Sequence, residues 1–255
     1  MRVIAVYSIK GGVGKTAAAV NLADAAARRG YRVLLWDLDP QGAASFYLRV
    51  KPKVKGGFEK LLSRSSGLLS AIRGSDHERL DLMPADFSYR HMDLVLDAAG
   101  KPRRRLKELL GGVTRYYDLA LLDCPPSISL ASESVFRAAE ALVSPVIPTP
   151  LSIRTLAQLE GQLAELGKKA PRLLSFLSMV DIRKRLHREL ATDLPGQHRD
   201  FLKTWIPYSS EVEQMGVHRA PISAFAPRSR SRLAFDALWA EIESQLETGS
   251  REPLE

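Results

Sequence analysis

A glycine-rich loop near the start of the chain constrains its fold more than any other feature. The loop, residues 10–16 with the sequence KGGVGKT, directly follows an apolar run at residues 3–7 and opens residues 16–29, a segment rich in Ala and Leu that Gly30 ends. This pattern predicts a strand, a tight loop and a helix. Glycine lacks a Cβ, so the backbone can take positive φ angles and approach an anion closely. Its N–H groups and the positive end of the helix then form a site for phosphate groups.

The loop departs from the usual phosphate-binding pattern in two places. That pattern is G-x-x-x-x-G-K-[ST], and its first glycine would fall on Ile9. A second lysine, Lys10, lies five positions before the expected lysine, Lys15. Ordinary phosphate loops carry no charge at the position of Lys10. We expect Lys15 to reach the β- and γ-phosphates of a nucleotide and the Thr16 hydroxyl to ligate Mg²⁺. A glycine-rich turn with incidental lysines is the alternative, but the flanking strand and helix favour a nucleotide site.

Two later apolar strands each end in aspartate. Residues 33–36 (VLLW) run into the motif DLDPQG at residues 37–42, and residues 119–122 (LALL) run into Asp123. Because the carboxyl ends of parallel strands meet at one edge of a sheet, we expect Asp37, Asp39 and Asp123 beside the first loop. A buried aspartate is costly without a metal or hydroxyl partner. The alternative for the DLDPQG motif is a surface turn, in which Asp, Pro and Gly are common.

The rest of the chain continues to alternate between strand and helix patterns. Further strands are predicted at residues 80–84, 142–148 and 173–180, with another ending at residues 205–207, and further helices at residues 131–141, 152–166 and 233–246. This alternation predicts an α/β fold with a single doubly wound, mostly parallel sheet flanked by helices. We expect residues 1–247 to form one domain and residues 248–255 a flexible C-terminal tail. The sequence pattern predicts the structure and role of residues 49–99 less clearly than those of any other stretch.

Composition excludes several classes of protein. Of the 255 residues, 45% are hydrophobic and 26% are charged, as in ordinary globular proteins. The one cysteine, Cys124, excludes an internal disulfide framework and fits a reducing cytoplasm. The first strand begins at residue 3, so we expect no signal peptide, and no apolar stretch approaches the ~20 residues that span a membrane. The five histidines lack zinc-type spacing and are expected to be structural or exposed.

The three motifs together resemble those of a known family. The loop KGGVGKT resembles the deviant Walker A loop of the ParA/MinD family of ATPases, and the DLDPQG motif and the strand ending at Asp123 resemble that family's two switch segments. The resemblance implies a P-loop NTPase fold and Mg²⁺-dependent hydrolysis of ATP to ADP and phosphate. It also implies an ATP-dependent homodimer, in which Lys10 touches the nucleotide of the other subunit.

Residue roles follow from the same resemblance. Lys10, Lys15 and Asp39 would be catalytic, with Asp39 positioning or polarising the attacking water. Thr16, Asp37 and Asp123 would hold Mg²⁺. The residues expected at the nucleotide are Lys10, Gly11, Gly12, Val13, Gly14, Lys15, Thr16, Ala17, Asp181 and Pro207. Relatives commonly carry a hydroxyl residue where this chain has Ala17, so we expect weaker nucleotide affinity with the site retained.

Positive charge is clustered along the chain. Lys and Arg number 37 against 29 Asp and Glu, which gives a net charge of +8. A basic balance is consistent with a polyanionic partner, although a solvated face is the more usual explanation of any single cluster. Relatives bind DNA without sequence preference as ATP dimers, and by that resemblance the preferred contacts are C-terminal: Arg183, Lys184, Arg185, Arg219, Arg228, Arg230 and Arg232. Glu211 stands where relatives are expected to carry a DNA-contacting arginine. Two other basic groups occupy residues 49–60 and 101–107.

The resemblance is strongest to small ParA/Soj-like partitioning ATPases without an N-terminal helix-turn-helix. It implies a cytoplasmic, nucleoid-associated protein that dimerises on ATP, binds DNA and positions or segregates a plasmid, chromosome or protein cargo. A ParB-like protein or cargo adaptor would stimulate hydrolysis.

Two alternatives remain open at this stage. A MinD-like membrane ATPase needs a basic amphipathic C-terminal helix, but the chain from Trp239 onward has five glutamates against Arg251 alone, so no membrane partner is expected. A biosynthetic enzyme of the cobyrinate or dethiobiotin type uses a similar loop. Cobyrinate-type enzymes usually add a glutaminase domain with a catalytic cysteine. The cysteine of this chain, Cys124, instead follows directly after a switch aspartate and so belongs to the nucleotide motif. A nitrogenase-type iron protein is excluded, because it needs two cluster-binding cysteines per subunit and this chain has one cysteine.

Overall fold

The computed structural model describes residues 1–63, 67–198 and 200–249. Within this part of the chain one sheet of seven strands has the order β3-β4-β2-β5-β1-β6-β7. The strands are β1 (Arg2–Val6), β2 (Val33–Asp37), β3 (Arg73–Gly74), β4 (Leu80–Met83), β5 (Leu119–Asp123), β6 (Ala141–Val146) and β7 (Arg172–Leu177). Neighbouring strands run parallel except β3, which is antiparallel to β4. The predicted mostly parallel α/β fold is confirmed.

Helices cover both faces of the sheet. They are α1 (Lys15–Arg28), α2 (Ala43–Tyr47), α3 (Gly57–Ser63), α4 (Gly67–Ala71), α5 (Met92–Ala98), α6 (Arg105–Gly111), α7 (Leu130–Ala138), α8 (Pro150–Glu165), α9 (Arg185–Gln197), α10 (Ser210–His218), α11 (Ile222–Phe225) and α12 (Arg230–Gly249). Short 3-10 turns lie at Phe87–His91, Pro102–Arg104 and Gly167–Lys169.

The central strands are apolar because both of their faces are covered. Every residue of β2, β5 and β6 is buried. On one face the alanine-rich α1 packs closely on the sheet and against α12, whose Leu238, Trp239 and Ile242 are buried. On the other face α5 to α8 contribute apolar side chains to a second core, including Leu96, Leu110 and Leu159. This sandwich of layers fixes the strand ends that carry the aspartates.

Several element boundaries differ from the sequence prediction. The strand predicted to end at residues 205–207 is wrong, because this segment pairs with the chain around β7 only through two isolated parallel bridges, Ser175 with Phe201 and Val180 with Pro207. The strand β7 ends at Leu177, earlier than predicted, where Met179 takes a left-handed φ of 57°. Helix α8 begins earlier than predicted, since Thr149 caps it with Pro150 in the first turn.

The predicted domain limits at residues 1–247 stay a prediction. Residues 248 and 249, which were predicted to begin the tail, belong to α12. The rest of the predicted tail, residues 250–255, lies outside the described residues.

Candidate functional site

Strand register brings the three sequence motifs to one edge of the sheet. Asp37 at the end of β2 pairs in register with Asp123 at the end of β5, and Val6 at the end of β1 pairs with Asp123 from the other side. The glycine-rich loop leaves β1 directly after Val6 and leads into α1. The carboxyl ends of β1, β2 and β5 therefore form one site, as the sequence predicts.

Glycine is required at two of the three predicted loop positions. Gly12 and Gly14 have φ angles of 70° and 92°, and Gly14 caps the start of α1. A Cβ at Gly14 would also lie 3.1 Å from the Ser178 hydroxyl. The expectation of positive φ is wrong for Gly11, where an added Cβ would meet only Pro126 at an ordinary 3.9 Å. The loop turns its backbone at Gly12 and Gly14, and the buried Val13 anchors it between them.

The two loop lysines reach different partners. Lys15 is only 7% exposed, and its ammonium donates to the Lys10 carbonyl at 3.1 Å. Burial lowers the pKa of Lys15, an effect that the charge of Asp123 opposes. The Lys10 ammonium instead donates to the Ser152 hydroxyl in the first turn of α8, at 3.1 Å. Lys15 thus folds back over its own loop, whereas Lys10 rests on a neighbouring helix.

Two aspartates are completely buried beside the loop. Neither carboxylate oxygen of Asp123 has a hydrogen-bond partner within the described chain, and neither has Oδ1 of Asp37. Oδ2 of Asp37 accepts from the Ser45 N–H at 2.8 Å and the Ser45 hydroxyl at 2.7 Å. Burial raises the pKa of Asp37 to about 6, against the lowering effect of the Ser45 hydrogen bonds. Burial raises the pKa of Asp123 well above its usual range, and the charge of Asp37 adds to this rise.

These orphaned oxygens fit a divalent cation. Buried polar atoms are costly without a partner, and carboxylate oxygens are the ligands that Mg²⁺ prefers. The Thr16 hydroxyl lies close enough to Asp123 to oppose the rise of its pKa, although no hydrogen bond of standard geometry joins them, so it adds a third oxygen ligand. Within the described residues there is no group of three or more His, Cys, Asp or Glu that could enclose a metal. A cation held by Thr16, Asp37 and Asp123 would share its coordination with water and phosphate oxygens, which suits Mg²⁺.

Asp39 lies at the rim of this site and is half-buried. Its Oδ1 accepts from the Gln41 N–H at 2.9 Å, and its carbonyl accepts from the Gly42 N–H at 2.9 Å. Its charge contributes to the raised pKa values of Asp37 and Asp123. This turn holds Asp39 above the buried pair, where a carboxylate can contact a substrate that enters from solvent.

A cleft beside the loop contains one of the two remaining predicted nucleotide residues. Pro207 lines it together with Gly14, Ala17 and Met179. Asp181 is absent from that lining and is held by Arg183, whose guanidinium donates to both carboxylate oxygens at 2.8 and 2.9 Å. The same contact lowers the pKa of Asp181 to about 2. A nucleotide role for Asp181 stays a prediction, and the structure gives it a different partner.

Two site residues escaped the sequence analysis. Ser45 binds the carboxylate of Asp37 from eight residues away, and Ser152 receives the Lys10 ammonium from a helix far along the chain. Nothing in local spacing marks Ser45, since its contact depends on how α2 folds back on β2. Ser152 carries a weak signal, because it lies in a Thr-Pro-x-Ser helix start directly after a predicted strand.

Most of the predicted DNA-binding arginines already have partners. Arg183 pairs with Asp181, Arg185 with Glu189 and Arg232 with Asp236, at 2.8, 2.6 and 2.8 Å respectively. Arg219 donates to the Phe46 carbonyl and lies over its ring, and Arg230 lies over Trp205. Lys184 and Arg228 are exposed and form no ion pair within the described residues. DNA contact by these seven residues stays a prediction.

The buried aspartates make a specific prediction about pH and stability. With a pKa of about 6, folded Asp37 binds more protons than the unfolded chain from about pH 4 to 6, so its contribution to stability falls as pH rises through that range. In Asp37→Asn the amide oxygen still accepts from Ser45, but no charge is buried. Without Mg²⁺ and nucleotide, we expect the free energy of unfolding at pH 8 to rise by about 1–3 kcal/mol, with little change near pH 4. Urea unfolding at both pH values measures this, and a variant less stable than the wild type at pH 8 would contradict it.

Sequence comparisons agree with this geometry. The family model of an AAA domain matches residues 1–176. The chain is 31% identical to the sporulation initiation inhibitor protein Soj of Bacillus subtilis, over 94% of this chain and 98% of that protein. It is 33% identical to the chromosome-partitioning ATPase Soj of Thermus thermophilus, over 97% of each. The chromosome partitioning protein ParA of Caulobacter vibrioides is 28% identical, over 96% of this chain and 95% of that protein.

Solved structures of similar fold span the whole chain. The cell division ATPase MinD of Pyrococcus furiosus superposes with a TM-score of 0.76 at 26% identity, over 96% of this chain and 99% of that one. Cobyrinic acid a,c-diamide synthase of Mycobacterium smegmatis, solved with ADP and magnesium, gives a TM-score of 0.82 at 23% identity, over 99% and 98%. At that identity the second likeness concerns the fold alone.

Proposed function

Because this chain belongs to the ParA/MinD family of P-loop ATPases, we propose that it hydrolyses ATP to ADP and phosphate with Mg²⁺ and uses this cycle to position or segregate a cargo. ATP drives formation of a homodimer, the dimer binds DNA without sequence preference on the nucleoid, and a ParB-like protein or cargo adaptor stimulates hydrolysis. The observation that carries the proposal is the pair of buried aspartates with unpartnered oxygens beside a loop that has two lysines. The cargo is a plasmid, a chromosome or a protein assembly.

The residues of the site divide the catalytic work. The turned backbone at Gly12 and Gly14 and the ammonium of Lys15 bind phosphate oxygens. Thr16, Asp37 and Asp123 would hold Mg²⁺, which would neutralise charge on the phosphates. Asp39, at the rim, orients the attacking water. Catalysis of this kind is positioning plus charge stabilisation.

Lys10 has a separate role in this proposal. Its ammonium is held by one neutral hydroxyl, that of Ser152, and forms no ion pair within the described chain. Releasing it costs one hydrogen bond, about 0.5–1.5 kcal/mol, which a contact with a phosphate of the partner subunit's nucleotide more than replaces. Lys15 meanwhile remains with the loop of its own subunit. The two lysines therefore serve two different nucleotides of the dimer.

Two observations favour this proposal over the alternatives. The apolar face of α12 is buried against α1 and the sheet, with Trp239 2% and Ile242 0% exposed, so it is not free to lie on lipid. Cys124 is 2% exposed and burial raises its pKa well above the usual range, which is opposite to what a glutaminase nucleophile needs. Separately, no helix in the described part of the chain is long and apolar enough to cross a membrane.

The test compares nucleotide states. Molecular mass by light scattering and binding to a random-sequence duplex are measured with ATP, with ADP and without nucleotide, each with Mg²⁺. We expect a dimer and DNA binding with ATP only, and DNA affinity that falls steeply as salt rises. DNA binding that is equal in all three states would overturn the proposal. Hydrolysis stimulated by a small carboxylic acid and indifferent to DNA would support a biosynthetic enzyme instead.

A further inference from the structure

A basic cleft lies where β3 forms the edge of the sheet. It has a volume of about 700 Å³ and its lining includes four cations, Lys51, Lys53, Lys55 and Arg73. Val50, Gly56 and Gly74 complete the lining, and no carboxylate is among these residues. None of them belongs to the predicted nucleotide or DNA residues. The cleft therefore concentrates positive charge on a surface to which no role has been given.

The cations of the cleft are largely uncompensated. Within the described residues, no ion pair involves any of the three lysines, and Arg73 donates only to the backbone carbonyls of Ser70 and Ile72. The acids near the cleft have other partners. Asp81, whose Oδ1 would lie 3.8 Å from a Cβ at Gly74, accepts from the Tyr117 hydroxyl at 2.8 Å. Asp86 accepts from the N–H groups of Val54 and Ser88, although the charge of Lys53 also acts on it. Asp76 lies 3.9 Å from Arg49, which is not part of the cleft lining.

Several of the C-terminal basic residues, by contrast, are already paired with carboxylates. There, Arg183, Arg185 and Arg232 each hold a carboxylate at 2.6–2.8 Å. A phosphate that binds to one of these arginines must displace or share the carboxylate. A phosphate that enters the cleft only replaces water and counterions around the lysines. Release of those counterions is the main source of sequence-independent affinity for nucleic acid.

The segment that carries the lysines is anchored. The lysines occupy alternate residues, and Val54 between them is 5% exposed with its N–H donated to Asp86 at 2.7 Å. At the start of the segment, the Val50 N–H donates to the Ser45 carbonyl at 3.0 Å. A fixed backbone reduces the ordering cost when the lysines bind a ligand. Their flexible ammonium ends can follow phosphates at different positions, because an ammonium binds phosphate as a point charge without a fixed planar geometry.

The anchor also connects the cleft to the nucleotide site. Ser45, which holds Val50, also holds the carboxylate of Asp37. Pro52 lies against the turn that follows Asp39, since a Cβ at Gly42 would be only 3.1 Å from Pro52 Cβ. These contacts join the lysine segment to the turn after Asp39, so a displacement of that turn would be transmitted to the lysines.

We infer that this cleft binds phosphates of the DNA backbone and contributes more to DNA affinity than the cluster Arg183, Lys184 and Arg185 does. The inference rests on the proposed function, which includes DNA binding, and assigns its main contact to residues 51–55 and Arg73. Lysine contacts to phosphate carry no sequence information, in keeping with DNA binding that is independent of sequence.

The test compares two triple variants that remove the same charge. Lys51→Gln/Lys53→Gln/Lys55→Gln removes three of the four cations of the cleft, and Arg183→Gln/Lys184→Gln/Arg185→Gln is the matched control. Binding to a random-sequence duplex is measured with ATP over a range of salt concentrations. We expect the cleft variant to make the negative slope of log K against log salt less steep by about 2–3 and to weaken binding about tenfold or more. The control should make the slope less steep by about 1 or less. The conservative Lys→Arg triple should keep wild-type binding.

The outcomes separate this inference from the proposed function. If the wild type fails to bind DNA with ATP, the proposed function fails and the inference with it. If the wild type binds and the cleft variant binds equally, or the control loses as much, the inference is overturned and the proposed function stands. A cleft variant that keeps DNA binding but loses binding to polyglutamate would make the cleft a site for acidic protein and also overturn the inference. Dimer formation by the cleft variant with ATP shows that it is folded.

Discussion

Replacing Lys10 by alanine is expected to abolish the ATP-dependent dimer while changing ATP affinity of the monomer less than about threefold. The Lys10 ammonium contacts Ser152, whereas Lys15 folds over the loop that binds the nucleotide of its own subunit. A two-fold dimer contains two copies of each contact, so the variant loses two charge-assisted hydrogen bonds, about 3–6 kcal/mol in total. The dimer dissociation constant should rise about 10²- to 10⁴-fold.

Sedimentation with ATP and titration of the monomer with a fluorescent ATP analogue measure the two quantities separately. Ser152→Ala is the matched control, because it removes the hydroxyl on which Lys10 rests but leaves the lysine. We expect that variant to dimerise at least as well as the wild type. A Lys10→Ala protein that dimerises normally, or that loses ATP binding in the monomer, would contradict the assignment.

Replacing Asp39 by alanine is expected to lower the rate of ATP hydrolysis about 10²- to 10⁴-fold, the range for loss of a group that orients or deprotonates the nucleophile. Asp39 lies at the rim of the site, above the buried Asp37 and Asp123, and is tied only to its own turn. In the proposed function, magnesium and phosphate contacts come from other residues. ATP binding and dimer formation should therefore remain, and the variant should accumulate as an ATP-bound dimer.

A conservative variant separates chemistry from structure at this position. In Asp39→Asn the side-chain oxygen can still accept from the Gln41 N–H, so the turn is kept while the carboxylate is lost. We expect hydrolysis in single-turnover assays to fall as far as it does in Asp39→Ala. If the asparagine variant hydrolyses ATP at the wild-type rate, Asp39 has only a structural role.

The sequence predicted the edge of the sheet that carries the glycine-rich loop and the aspartates, because the relevant signals are local. The strands β2 and β5 are apolar up to a final aspartate, and parallel register places those ends side by side. The loop after β1 has glycine where the backbone must turn, at Gly12 and Gly14. Each of these features can be read from a few consecutive residues.

Contacts between distant segments could not be predicted in this way. The bonds of Ser45 to Asp37 and of Lys10 to Ser152 depend on how whole elements pack. Two properties of the folded surface are likewise hidden in the sequence. The C-terminal arginines pair with carboxylates, and the lining of the basic cleft contains none. Charge counts along the sequence cannot distinguish a paired cluster from a free one.

The central claim is that Lys10 of one subunit completes the site of the other. Lys10→Ala and Asp39→Ala proteins, each inactive alone, can be mixed in equal amounts with ATP at high protein concentration. Half of the dimers are then mixed. In each mixed dimer the Lys10→Ala subunit keeps its own Asp39 and receives Lys10 from the Asp39→Ala subunit, so one of the two sites is complete. About a quarter of the wild-type rate should therefore return. A mixture no more active than its two components would contradict the claim, since it would place both residues in the same subunit's site.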